Sequence, residues 1–207
     1  ELSREGIGFY EQLDYLTYLA DEGYKVRLID DHSTDGSWEA IRDYMRDNKP
    51  KFEVLRMEQN SRKVGAIKRG LERTTAKYVL LTDFDSRIVN PEAIDKVIEK
   101  LESNERIAGA ALKVVPEEDT FLGLLQDLDY AMGRTIGARY LQKQKKLRCV
   151  AGAGGIWKRK ILRELLEEHS GRHNGDDMET TAIAMRKGYD VIYAPEVVIK
   201  TKTPKNY

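Results

Sequence analysis

The sequence predicts an α/β fold with a mostly parallel central sheet and helices on both faces. Over the first two thirds of the 207 residues, apolar runs of strand length alternate with stretches of helical periodicity. This alternation is typical of parallel strands joined by helical crossovers. The run over residues 78–82 is continuously apolar, as in a strand buried on both faces. No internal repeat or linker divides the chain, so we predict a single domain over residues 1–207.

The elements of the first half follow from spacing, caps and stop signals. Phe9, Leu13 and Leu16 lie at helical spacing, and Gly23 would end that helix. A side-chain oxygen of Asp35 or Ser37 would cap the next helix. The predicted order is a helix over 9–20, a strand over 26–30, a helix from 37, a strand over 52–55, a helix over 64–71 and a buried strand over 78–82.

The second half is read in the same way. Asn90 and Pro91 give an N-cap and a first-turn proline for a helix that extends to residue 101. A long helix with one apolar face is predicted from Asp119 to Tyr140. The other predicted elements are a strand over 107–114, a glycine-rich loop over 149–155, helices over 158–168 and 177–187, and short strands over 191–194 and 197–201.

Composition excludes several functional classes. Lys+Arg and Asp+Glu are both 35, so the formal net charge is zero and bulk nucleic-acid binding is not expected. The single cysteine, Cys149, excludes an internal disulfide and a cysteine-based zinc site, and it favours a reducing compartment. No run approaches the ~18 apolar residues of a membrane span.

Aspartate pairs follow two of the predicted strands. Asp30 and Asp31 end the strand over 26–30, and Asp83 and Asp85 form a D-x-D after the strand over 78–82. In open α/β sheets, ligands collect outside the carboxyl ends of the strands. Several carboxylates in one crevice repel one another unless a cation, a sugar hydroxyl or a base N–H binds them. We therefore predict a donor-rich ligand and a hard divalent cation, Mg²⁺ or Mn²⁺.

Each acidic group also has a structural interpretation. A turn and a helix cap need only Ser33 or Asp35, and one member of the D-x-D could serve as a cap. If the D-x-D is extended, residues i and i+2 point the same way, so both carboxylates can face one ligand. The third acidic group, Asp176 and Asp177, suits the first turn of a helix, and it also suits a general base.

Two further motifs contain residue types that are common in phosphate-binding sequences, namely glycines and a lysine at a helix start. The glycine-rich run at Gly152, Gly154 and Gly155 fits neither G-x-x-x-x-G-K-[ST] nor G-x-G-x-x-G, but it could let a sugar or acceptor approach bare backbone. Lys63 opens a predicted helix, where a cation could meet a diphosphate. Most isolated lysines are simply solvated, and that interpretation stays open for this one.

In their order along the chain, these motifs resemble the family 2 glycosyltransferases of GT-A fold. The segment from Asp30 to Gly36 is similar to D-D-x-S-x-D-G, and the D-x-D is at Asp83 and Asp85. The helix from Lys63 resembles G-K-A-x-A-L-N-x-G-L, with Arg62 where glycine is usual. The run over 188–195 is similar to G-Y-x-V-x-Y-x-P.

The acidic segment over 175–179 resembles the T-E-D segment of cellulose, hyaluronan and chitin synthases, with Gly175 and Asp176 in place of Thr and Glu. The resemblance is therefore closest to these processive members. It implies a Rossmann-like GT-A sandwich and an inverting transferase that uses a nucleotide-diphosphate sugar, most simply a UDP-sugar. The implied acceptor is a saccharide or a lipid-linked molecule.

The resemblance also implies roles for individual residues. Asp31 and Asp83 would contact the uracil and ribose, with Asp30 in support, and Lys63 would lie near the nucleotide or diphosphate. Asp85 would bind the divalent cation. The remaining roles are a general base at Asp177 and acceptor-side positions at Gly154, Gly155 and Asp176.

The chain departs from the family pattern at both ends. The family's first strand and the Q-x-x-R-W motif of the synthases are not seen, so we expect a first strand upstream and a continuation downstream. Membrane association through those segments, at the cytoplasmic face of the cell membrane, is a further expectation. The alternatives are a polyprenyl-phosphate hexosyltransferase on the same fold, a non-catalytic sugar- or nucleotide-binding module, and a receiver-like module.

Overall fold

The structure is a computed structural model that describes residues 8–116, 137, 147, 149–171 and 175–202. A 3₁₀ turn at Pro91–Ala93 precedes the fourth helix. The helices are α1 (Gly8–Asp21), α2 (Ser37–Asn48), α3 (Arg62–Glu72), α4 (Ile94–Glu102), α5 (Arg159–Glu167) and α6 (Asp176–Arg186). The strands are β1 (Arg27–Asp30), β2 (Glu53–Arg56), β3 (Tyr78–Leu81), β4 (Ser86–Ile88), β5 (Ile107–Pro116), β6 (Gly155–Lys158) and β7 (Asp190–Thr201).

Contacts within the chain define two compact units, residues 1–74 and residues 75–207. In the first unit, β1 and β2 form a parallel pair with Asp30 opposite Arg56. Its buried side chains include Leu13 of α1 and Ile41 of α2. The alternation predicted for this region is confirmed element by element. The single domain over the whole chain stays a prediction.

The second unit contains a five-stranded sheet in the order β3-β6-β5-β7-β4. Only β5 and β7 are parallel in it, and the other three pairings are antiparallel. The predicted mostly parallel sheet is therefore wrong in this respect, because the described strands form a mixed sheet. The difference comes from β4 and β6, two strands that the sequence did not predict and that make the antiparallel pairings. Strand β4 follows β3 after a tight turn, and β6 follows a glycine-rich run that indicated a loop.

The core of the second unit lies between α4 and one face of this sheet. Val97 and Leu101 of α4 are fully buried there against Ala110 of β5 and Ile199 of β7. Adjacent residues along a strand point to opposite faces. Trp157 of β6, next to the core residue Ile156, is accordingly buried outside this cluster. Helix α5 packs on β6 and helix α6 on β7.

Strand β7 is continuous where two short strands were predicted. Ala194 pairs with Leu112, but the next pairing joins Val198 to Lys113, so residues 195–197 form a bulge. The bulge includes Pro195, which has no backbone N–H to donate. A prediction from apolar runs alone therefore breaks the strand at this position.

Asn90 binds the bulge instead of capping a helix. Its amide nitrogen donates to the Glu196 carbonyl at 2.6 Å, and its amide oxygen accepts from the Val198 N–H at 2.9 Å. Its side chain makes no hydrogen bond to the helical turn that follows. The predicted N-cap role is therefore wrong, because the bulge presents backbone groups that the sheet does not satisfy.

Within the described residues, no helix is both long enough and apolar enough to cross a membrane. The long helix predicted from Asp119 falls, apart from residue 137, outside the described residues.

We expect Asn90→Ala to lower the free energy of unfolding by about 1–3 kcal/mol, because it leaves the Glu196 carbonyl in the bulge and the Val198 N–H beside it without their partner. Urea denaturation of the intact protein measures this. Asn48→Ala is the matched control, since the Asn48 side chain makes one hydrogen bond, to the Tyr44 carbonyl, at the exposed end of α2. An equal and small effect of both substitutions would contradict the role assigned to Asn90.

Candidate active site

The strand registers of the second unit bring several loops to one edge of its sheet. Leu81, the last residue of β3, pairs with Gly155, the first residue of β6. Gly155 pairs in turn with Ala111 in the middle of β5. At the carboxyl end of β7, Thr201 pairs with Ser86, the first residue of β4. The segment between β3 and β4 and the segment before β6 therefore lie on the side of the sheet toward which β5 and β7 run.

Asp83 and Asp85 lie in the turn between β3 and β4. The Ser86 N–H donates to the Asp83 carbonyl at 3.1 Å, which closes the turn. The position at a strand end is confirmed, but the D-x-D is not extended, so the alternation expected to align the two carboxylates does not apply. Strand β3 is partly buried, not fully buried, because it is an edge strand of the five-stranded sheet.

The exposed carboxylate of Asp85 accepts a hydrogen bond from one hydroxyl group, which contacts a second hydroxyl group in turn. The Ser86 hydroxyl donates to Asp85 Oδ1 at 3.2 Å, and the Thr201 hydroxyl lies 2.9 Å from Ser86 Oγ. Both hydroxyl-bearing residues are buried. The Lys202 N–H donates to the Asp85 carbonyl at 3.2 Å. The end of β7 therefore holds the backbone of Asp85 through Lys202 and contacts its side chain only through Ser86.

The glycine-rich segment before β6 is joined to the D-x-D segment. The Thr82 hydroxyl donates to the Ala153 carbonyl at 3.0 Å. Gly154 and Gly155 are both buried. A Cβ at Gly154 would lie 2.7 Å from Ile199, and one at Gly155 would lie 2.5 Å from Val150. Close packing thus accounts for both glycines, and their acceptor-side role stays a prediction.

Asp177 is half-buried at the start of α6, and its carboxylate binds the same glycine-rich segment. Its Oδ2 atom accepts from the Gly152 N–H and from the Cys149 thiol, each at 3.3 Å. The fully buried hydroxyl of Thr181 donates to the Asp177 carbonyl and accepts from the Val150 N–H. Hydrogen bonds therefore connect three segments of the second unit: residues 82–86, 149–155 and 176–181.

His169 supports the start of α6, a role that the sequence did not reveal. Its Nδ1 atom accepts from the Gly171 N–H at 3.0 Å, which places the proton of the neutral ring on Nε2. That nitrogen donates to the Asp176 carbonyl at 3.0 Å. The Asp176 carbonyl also accepts from the Thr180 hydroxyl. This role becomes visible only when the structure shows the buried ring and its hydrogen bonds. Nothing in the local sequence predicts it.

In the first unit, Asp30 and Asp31 have different environments at the end of β1. The Asp30 side chain is 2% exposed, and its Oδ2 atom lies 3.5 Å from Arg56 Nε without a hydrogen bond. Its Oδ1 atom accepts from the Ser33 N–H. Asp31 is half-buried, and its Oδ1 atom accepts from both the N–H and the hydroxyl of Ser61 at 2.8 Å. Asp31 is thus the more accessible of the two carboxylates.

Asp35 lies two residues before α2, whose N-cap residue is Gly36 and has no side-chain cap hydrogen bond. The predicted cap by Asp35 or Ser37 is therefore wrong, although the Asp35 side chain still contacts the start of the helix. Its carboxylate accepts from the N–H of Ser37, the first residue of the helix, at 2.9 Å. Hydrogen bonds from the Ser37 hydroxyl and N–H lower the pKa of this carboxyl group. The Asp35 carboxylate therefore binds the first residue of α2.

Lys63 is the second residue of α3, as predicted. Helix N-termini attract anions, so this position suits a phosphate group. The residue before it, Arg62, has a φ of 59°, in the left-handed region that favours glycine. Glycine, the usual residue at this position of the motif that the helix resembles, adopts this conformation without steric cost.

The carboxylate oxygens of the turn between β3 and β4 are ligands that suit a hard divalent cation. Over residues 8–116, 149–171 and 175–202, no three His, Cys, Asp or Glu side chains are grouped closely enough to hold a metal. Mg²⁺ commonly needs only one or two carboxylates, with water and substrate phosphates completing its shell. Asp83 and Asp85 supply this kind of ligand, so the residues present fit the cation.

Comparison with known proteins identifies the family. The sequence profile of "Glycosyl transferase family 2" matches residues 12–166. The chain therefore belongs to this family and is a glycosyltransferase. This family assignment gives no support to a non-catalytic or receiver-like module.

Two solved structures share the fold. A mannosyltransferase, PcManGT, from Pyrobaculum calidifontis in complex with GDP-Man and Mn²⁺ matches with a TM-score of 0.72 and 20% identity, over 99% of this chain and 56% of that one. GalNAc-T7 with UDP, GalNAc and Mn²⁺ matches with a TM-score of 0.61 and 15% identity, over 92% and 38%. The predicted GT-A fold class is confirmed.

Three curated relatives are similar to this chain over part of their own length. An N-acetylglucosaminyltransferase from Neorhizobium galegae is 26% identical over 91% of this chain and 46% of its own. A poly-beta-1,6-N-acetyl-D-glucosamine synthase from Staphylococcus epidermidis is 22% identical over 68% and 34%. A dolichyl-phosphate beta-glucosyltransferase from Dictyostelium discoideum is 28% identical over 40% and 26%. The chain thus spans less than half the length of each of these relatives.

The left-handed conformation of Arg62 is tested by two substitutions at that position. Arg62→Gly and Arg62→Ala both remove the side chain, but only alanine keeps the strained Cβ. We expect the glycine variant to be about 1 kcal/mol more stable than the alanine variant in urea denaturation. A glycine variant no more stable than the alanine variant would show that residue 62 is not left-handed.

Proposed function

We propose that the protein transfers a sugar from a nucleotide-diphosphate sugar to an acceptor hydroxyl, with inversion at the transferred carbon. The observation that supports this most is the hydrogen-bonded set of segments at the carboxyl edge of the second unit. It carries two carboxylates in different environments: Asp85 is exposed in a turn, and Asp177 is half-buried at a helix start. The first suits a cation and the second suits a proton acceptor.

The proposed donor is a UDP-sugar. The resemblance described above assigns the uracil to Asp31 with Asp30 in support, the diphosphate to Lys63 and the ribose to Asp83. The solved structures with UDP and with GDP-Man support a nucleotide-linked donor. The choice of uracil rests on the resemblance described above.

Asp85 would hold Mg²⁺ or Mn²⁺, with its carboxylate oriented by Ser86 and Thr201. When bound, the cation would stabilise the negative charge on the departing nucleotide diphosphate. Both structural neighbours are complexes with Mn²⁺, which supports a divalent cation here.

Asp177 would act as the general base. It would accept the proton of the acceptor hydroxyl while the acceptor oxygen bonds to the anomeric carbon and the bond from that carbon to the diphosphate breaks. A single in-line displacement of this kind inverts the configuration and needs one base, unlike the carboxylate pair of glycoside hydrolases. The hydrogen bonds from Gly152 and Cys149 would hold the base in place.

The proposed acceptor is a saccharide, and the chain would be most similar in function to processive synthases, with Gly154, Gly155 and Asp176 on the acceptor side. The match to a poly-beta-1,6-N-acetyl-D-glucosamine synthase supports this. A second candidate is transfer of one hexose to a polyprenyl phosphate, which the match to a dolichyl-phosphate beta-glucosyltransferase supports. For either acceptor we propose that the protein acts at the cytoplasmic face of the cell membrane.

We expect divalent cations to tighten nucleotide binding. Calorimetry with the intact protein should show weak binding of UDP alone and clearly tighter binding with Mg²⁺ or Mn²⁺. Asp85→Ala should remove the tightening, because it deletes the proposed ligand. The matched control is Asp95→Ala, an exposed carboxylate on α4. Equal binding of UDP to the unmodified protein with and without metal would contradict the assignment.

We expect Asp177→Asn to lower turnover by on the order of 10²- to 10⁴-fold and to leave UDP affinity nearly unchanged, because it removes a base and not a nucleotide ligand. Turnover is measured with UDP-N-acetylglucosamine, UDP-glucose and GDP-mannose against saccharide and polyprenyl-phosphate acceptors. Asp95→Asn is the control. Parallel loss of UDP binding and turnover would indicate that Asp177 only stabilises the start of α6.

A further inference from the structure

We propose that Ser61 is a positioning residue that orients the Asp31 carboxylate for the nucleotide, and that Gly65 provides the space which Ser61 needs. This inference rests on the proposed contact between Asp31 and the nucleotide base. All of its residues belong to the first unit of the structure.

Two donors of Ser61 bind one oxygen of Asp31. The backbone N–H and the hydroxyl each lie 2.8 Å from Asp31 Oδ1. The Asn60 side chain also donates to the Asp31 carbonyl, at 3.3 Å, so the backbone of Asp31 is held from the same segment. Among the described residues, no hydrogen bond is made to Asp31 Oδ2. One oxygen is therefore bound by the protein, and the other remains for a ligand.

Ser61 does not cap its own helix. A serine at this position usually accepts a backbone N–H of the first turn with its hydroxyl oxygen. Here the side chain of Ser61 makes no such hydrogen bond to α3, although it immediately precedes Arg62. Its hydroxyl donates to Asp31, thirty residues earlier in the chain. A local role in starting the helix therefore does not account for this geometry.

Gly65 allows this arrangement. A Cβ at this position would lie 2.5 Å from Ser61 Cβ and 2.6 Å from Ser61 Oγ. The Ser61 side chain thus lies directly over the bare backbone of Gly65. Any larger residue at position 65 would displace the hydroxyl from Asp31, so the glycine is needed for close approach and not for flexibility.

The contact would prepare Asp31 to bind a donor on the base. With Oδ1 held by two donors, the carboxylate cannot rotate freely, and Oδ2 is kept in one position. A ring N–H, such as that of uracil, could then bind without ordering the side chain first. Such preorganisation increases affinity by reducing the cost of binding.

The test is calorimetry of UDP in the presence of Mn²⁺, with GDP titrated in parallel, on the intact protein. Ser61→Ala should weaken UDP binding roughly 3- to 10-fold, the effect of losing one hydrogen bond. Gly65→Ala should give a similar loss, because it displaces the same hydroxyl. The matched control is Ser103→Ala, an exposed serine whose hydroxyl donates to the Lys100 carbonyl; its UDP affinity should not change.

A double-mutant cycle separates positioning from general stability. In an Asp31→Asn background, Ser61→Ala should cause no further loss of UDP affinity, because its effect acts through Asp31. An equal loss in both backgrounds would overturn the inference, and so would normal UDP binding by both Ser61→Ala and Gly65→Ala when Asp31→Asn binds weakly. Normal UDP binding by Asp31→Asn itself would instead overturn the proposed nucleotide contact and, with it, the role of Ser61.

Discussion

The parallel pairing of β5 with β7 is the constraint on which the sheet of the second unit depends. The two strands pair from Ile107 and Asp190 to Pro116 and Thr201, and many of their residues are fully buried. Strand β6 pairs on one side of them and β4 on the other. The pairing of β5 with β6 therefore places the glycine-rich segment, and the carboxyl end of β7 places the D-x-D turn.

Hydrogen bonds to their side chains orient the carboxylates that the strands and helices place. The three carboxylates to which we assign a nucleotide, a metal and a proton are Asp31, Asp85 and Asp177, and each accepts hydrogen bonds from hydroxyl, thiol or backbone donors. Because these donors are neutral, they orient each carboxylate without cancelling its charge. Such an arrangement suits groups that must bind a cation, an N–H or a proton.

Much of the fold could be predicted from the sequence because its helices have strong periodicity and clear stop signals. The sequence also placed Asp31, Asp85 and Asp177 at strand ends or a helix start. It did not reveal β6, whose glycines suggested a loop, or the bulge in β7. The roles of Ser61, His169 and Asn90 depend on partners that the fold brings close, so no local pattern could have indicated them.

The central claim is that the D-x-D turn binds a divalent cation together with the nucleotide diphosphate. Paramagnetic broadening by Mn²⁺ in amide NMR spectra of the intact protein tests this most directly. We predict that substoichiometric Mn²⁺ selectively broadens the signals of Asp83 to Ser86 when UDP is present, and much less without it. Broadening that is centred elsewhere, or that is the same without UDP, would contradict the account.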